Sequence, residues 1–110
     1  MEADSIAEIG IDESQRLFVT PASATFPYIY REAMEVHWDA VRRRLHSPKP
    51  REWDYLRWFQ QIIAAAAEQS CNLQLASSTA WSNISAELKD EIERWSGSRA
   101  AKRPEDHAKA

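Results

Sequence analysis

Apolar and polar positions partly alternate over Ile6-Ala7-Glu8-Ile9-Gly10-Ile11, give way to the polar run Asp12-Glu13-Ser14-Gln15, and resume over Arg16-Leu17-Phe18-Val19-Thr20. Two β-rich runs around a turn-forming cluster predict an antiparallel hairpin, which Pro21 ends because proline brings no N–H to a ladder. From about Phe26 to Leu45 the spacing changes to a helical period. On a helical wheel Glu32, Glu35, Asp39, Arg31, Arg42 and Arg43 fill one arc. The apolar remainder spans roughly 200°, about twice the width of one packed face, so this helix is expected to be covered on two sides. Thr25 would cap it, with Pro27 in its first turn.

Ser47-Pro48-Lys49-Pro50 breaks that pattern, because each proline removes a donor and disfavours the α region before it. A second helix is predicted from about Arg51 to Ser70, with Tyr55, Leu56, Phe59, Ile62, Ile63, Ala66 and Ala67 on its buried arc. Leu73-Gln74-Leu75-Ala76 is too short for a helix and alternates, which predicts a third strand. Trp81 is expected in a loop, and a last helix runs from about Ser85 to Trp95 with Ser85 as its cap. The predicted order is β-β-α-α-β-α. It describes an α+β domain over residues 1–96: a small antiparallel sheet, made of the hairpin and the third strand, packed against an antiparallel helical hairpin and a short C-terminal helix. Residues 97–110 carry no apolar side chain beyond alanine and are expected to form a disordered tail.

Composition narrows the function. At 110 residues, 44% of them hydrophobic, and with a net charge of −3, the chain has room for one core and no second domain. Only Gly10 and Gly97 are glycines, which excludes phosphate-cradling glycine loops. Cys71 is the single cysteine, so no internal disulfide and no cysteine-based zinc site is expected. There is no basic leader and no apolar run long enough to span a bilayer, and a cytoplasmic location without membrane contact is the expectation. No cofactor or metal site is expected either.

His37 is the most tempting catalytic or pocket residue, since it lies on the apolar arc beside Trp38. On a helix its neighbours at three and four residues would be Ala33, Met34, Ala40 and Val41, none of which can relay a proton or bind a metal. It is kept as a candidate wall of a ligand pocket. Glu32, Glu35 and Asp39 read as a solvated face paired with Arg31 and Arg43. Cys71, placed at a helix end, reads as buried and inert. The basic segment Arg42 to Arg57 interleaves with Trp53 and Trp58, but on a continuous helix those two rings lie about 140° apart and form no single platform.

Five tryptophans are more than so small a core can bury, and Trp, Tyr and Arg dominate binding hot spots. Tyr30, Met34, Trp38 and Leu45 on the open flank of the first helix, with Trp53 and Trp58 beside the second, are the expected interface. The reading is a non-enzymatic binding or regulatory protein acting through a protein partner or through self-association as a homodimer. The alternatives are a small-ligand-binding domain using an aromatic groove and a nucleic-acid-binding regulator using the Arg42–Arg57 segment, nucleic acid being disfavoured by the acidic balance.

Overall fold

The computed structural model describes residues 2–101. The elements are β1 (Glu2–Ile11), β2 (Leu17–Pro21), a 3-10 turn (Ile29–Arg31), β3 (His37–Asp39), β4 (Arg44–His46), α1 (Tyr55–Glu68), β5 (Cys71–Gln74), β6 (Ala80–Ser82) and α2 (Ala86–Ala101). The class is α+β, with a mixed sheet of six strands and two helices.

β1 is the hub of the sheet. On one side it pairs antiparallel with β2, from Ile6↔Pro21 to Ile11↔Leu17, as the sequence pattern predicts. The turn is closed by Asp12, whose Oδ1 accepts the N–H of Ser14 and of Arg16 and whose Oδ2 accepts from Arg16 Nε, each at 2.9 Å. On its other side β1 runs parallel to two strands in succession, β5 along Glu2–Ser5 and β6 along Glu8–Gly10. The sheet is therefore mixed, where an antiparallel one was expected, and Trp81 lies in a strand where a loop was expected.

A bulge between Ile6 and Glu8 coincides with the change of neighbour. Its extra residue brings Ile6 and Ile9, three positions apart, into the core together, both fully buried. Thr79 fills the gap between β5 and β6. Its buried hydroxyl donates to the Ile6 carbonyl at 2.7 Å and accepts the Ala76 N–H at 2.9 Å.

The helix expected over Phe26–Leu45 is absent, and with it the helical hairpin. In its place a 3-10 turn leads into a β-hairpin, β3–β4, at one edge of a sheet ordered β3-β4-β2-β1-β5. The Asp39 carboxylate, which accepts the N–H groups of Val41 and Arg42, turns the chain where a helix would have continued, and the path that results buries Phe26, Ile29, Ala33, Val36 and Leu45 in the common core.

α1 matches the second predicted helix but begins later, at Tyr55, with Asp54 as N-cap accepting the Arg57 N–H at 2.9 Å. Its buried residues Trp58, Phe59, Ile62, Ile63, Ala65 and Ala66 face the sheet. α2 is capped by Ser85 and buries Leu88 and Ile92. It continues to Ala101, into the stretch expected as a tail, and residues 102–110 lie outside the described residues.

Candidate interaction surface

The β3–β4 hairpin owes its shape to Asp39. Its Oδ1 accepts the N–H groups of Val41 and Arg42, both at 3.0 Å, and the bond from Arg42 is the main reason the carboxyl sits below its ordinary pKa. Such side-chain bonds to nearby backbone compete directly with helix formation. Arg43 then adopts a left-handed φ of 56°, and the chain returns as β4. Register places His37 opposite His46, Trp38 opposite Leu45 and Asp39 opposite Arg44.

Side chains alternate across this hairpin. Trp38 is half-buried and meets Phe26 edge-on at 5.9 Å, and Leu45 is fully buried, so neither stands on an open flank as the helical reading had it. His37 is exposed on the edge strand, its ring 5.3 Å from that of His46, and it lines none of the cavities described below. His46 lies with Nδ1 3.1 Å from the Ser47 carbonyl, and burial pulls its pKa below the usual histidine value.

What the segment exposes is different. Tyr28 (51% exposed), Tyr30 (54%), Met34 (86%) and Val41 (92%) are the exposed large apolar side chains among the described residues, and all four fall within positions 28–41. The Arg31 guanidinium lies over both tyrosine rings, 4.7 and 6.0 Å from their centroids, and the rings meet edge-on at 6.5 Å. β3 has a strand neighbour on one side only, β4. Of this set the sequence singled out Tyr30 and Met34. Tyr28 and Val41 became visible only once the hairpin replaced the helix.

Trp53 and Trp58 correct a second expectation. Their rings are 4.7 Å apart and form one aromatic unit, with the Arg57 guanidinium 4.7 Å above Trp53. The wheel separated them only because it extended the helix back through Trp53, which in fact precedes the cap. Trp58 is buried and Trp53 half-buried, beside a cavity of about 420 Å³ that Glu35, Lys49, Arg51 and Glu52 also line. In the basic segment Arg44 is likewise turned inward, 3.9 Å from the Phe18 ring centroid and 4.0 Å from the Asp12 carboxylate.

Cys71 is the first residue of β5, not a helix end. Burial, reinforced by Asp4 and Glu2, pushes its thiol pKa up. Among the described residues no group of three or more His, Cys, Asp or Glu is placed to hold a metal ion, and no helix is long and apolar enough to cross a membrane.

The molecule is thus a small α+β protein with a mixed sheet, and its exposed large apolar side chains, among the described residues, fall in the segment 28–41 that contains the edge strand β3. Residues 4–80 match the family described as Integron Cassette Protein Hfx_Cass5, and the chain belongs to that family, whose function is not established. A solved structure described as an integron cassette protein Hfx_Cass5 from the mobile metagenome of North West Arm Sewage Outfall is 49% identical to it. The alignment covers 88% of this chain and 98% of that one, with a TM-score of 0.45. No curated protein matches the chain significantly.

Proposed function

We propose that the protein is a non-catalytic binding protein that works through a protein partner, in the simplest case a second copy of itself, held at the β3 edge. The observation that carries this reading is that all four exposed large apolar side chains among the described residues fall within positions 28–41. Apolar side chains exposed along a segment that carries a one-sided edge strand favour association in two ways, by burying apolar surface and by offering backbone groups for pairing. Arg31, braced on Tyr28 and Tyr30, adds the residue types that dominate interface energetics. A nucleic-acid partner has less support, because Arg44 and Arg57 of the basic segment face aromatic rings of their own chain.

Sedimentation velocity tests this directly. Wild type should associate reversibly, and Met34→Glu and Val41→Glu should each weaken that association at least tenfold without changing the melting temperature, since both side chains already face water in the monomer. A wild type that stays monomeric into the millimolar range ends the self-association reading.

A further inference from the structure

The opposite edge of the sheet carries a cavity of about 420 Å³ between α1, β5 and α2, within the range of small-molecule sites. Ile6 and Leu73 lie beneath it, and Phe59 and Ile63 of α1 and Trp95 of α2 line its sides. Phe59 and Trp95 meet edge to face, 5.8 Å between centroids with an 86° interplanar angle, and form a fixed aromatic corner. The polar lining comprises Asn72, Gln74, Glu93 and Ser96, and among the lining residues Glu93 alone carries a formal charge. Arg94, next to it in the helix, is held by Asp90.

We propose that this cavity binds a small amphiphilic organic cation, its aromatic or alicyclic body against Phe59, Leu73 and Trp95 and its ammonium group against the Glu93 carboxylate. An apolar interior rewards the body by area removed from water, and a carboxylate at the edge of a low-dielectric wall attracts a cation more strongly than it would in open solvent. An anion of the same shape meets repulsion from Glu93 and no compensating positive group among the lining residues. The site is independent of the 28–41 surface and stands whether or not the protein self-associates.

The test is an NMR titration of the full chain with 1-naphthylmethylamine and, as a shape-matched anion, 1-naphthoic acid. The amine should give saturable shifts at Leu73, Leu75, Gly97 and the Trp95 indole, and should bind at least tenfold more tightly than the acid. Glu93→Gln should remove that preference while leaving apolar binding in place. Gly97→Leu should weaken both probes: Gly97 lines the cavity, and a Cβ there has nothing within 4 Å, so the larger side chain alters the wall without straining the fold. No saturable shift with the amine, equal or tighter binding of the acid, or shifts that Gly97→Leu leaves untouched would each overturn the proposal.

Discussion

Gly10 shows how much a single position can carry. A Cβ built there would lie 2.3 Å from Cζ of Phe18 and 2.9 Å from the Ser82 carbonyl oxygen, so β1 can sit between β2 and β6 only without a side chain at this point. The Phe18 ring has little freedom to yield, since the Arg44 guanidinium covers it at 3.9 Å. Gly10→Ala should therefore cost about 1–3 kcal/mol, read as a lower urea midpoint at unchanged m-value. Phe18→Leu in the same chain should recover part of that loss, a coupling of about 1 kcal/mol in a double-mutant cycle. Additive effects would show that the Ser82 carbonyl, and not the ring, sets the limit. The sequence could not reveal this: Gly10 sits in an alternating run where it reads as a weak strand residue, and its crowding comes from how the Phe18 ring lies over it and from the carbonyl of a strand some seventy positions away.

Among the elements, legibility follows the range of the interactions. The first hairpin, α1 and α2 were readable because local chemistry decides them: the Asp12 turn, the Asp54 and Ser85 caps and the apolar face of α1 all lie within a few residues of what they control. The Phe26–Leu45 stretch has helical spacing, yet Asp39 bonds its own following backbone and Trp38 is placed against Phe26, both at odds with a helix. An apolar arc too broad for one face was the warning in the sequence. The parallel partners of β1 were not legible, since nothing local states that two short strands share one long neighbour. Trp53 and Trp58 were legible but misread: they are the residue before the cap and the fourth helical residue, the pair that pack together when an apolar side chain fixes how a chain enters a helix. Asp54→Ala should lower stability by about 1 kcal/mol. Trp53→Ala should cost more in the wild type than in the Asp54→Ala background, because once the cap is lost the first turn frays and Trp58 moves from its partner. Equal costs in the two backgrounds would mean that the ring pair acts without reference to the helix start.

For the molecule as a whole, three titrating groups tie distant parts of the chain together and should shape its response to pH. Asp4 joins β1 to the loop after β2, accepting the N–H groups of Ser23 and Ala24 and the Ser23 hydroxyl. Asp12 closes the β1–β2 turn and faces Arg44 of β4. Burial works to raise both carboxyls, but the hydrogen bonds, from Ala24 and Ser23 at Asp4 and from Arg16 and Ser14 at Asp12, outweigh it and leave both below the ordinary value. A depressed carboxyl contributes stability that is present above the unfolded value of about 4 and is lost as pH falls through the folded one. His46 is pulled down chiefly by burial, with the charge on Arg16 and its neighbour His37 adding to the effect against the Ser47 carbonyl. The unfolded chain then binds the proton more readily, so stability declines as pH drops below about 6.5. Urea unfolding across pH should therefore show two steps on the acid side, a shallow decline beginning below about pH 6.5 and a steeper one below about pH 4. His46→Gln should flatten the first step and leave the second. Asp12→Asn should lower stability at neutral pH by about 2 kcal/mol, through the loss of charge-assisted bonds at a buried site, and should flatten the second step. A stability that stays level from pH 7 to pH 3 in the wild type would mean that these contacts persist in the unfolded ensemble or contribute nothing to the folded one.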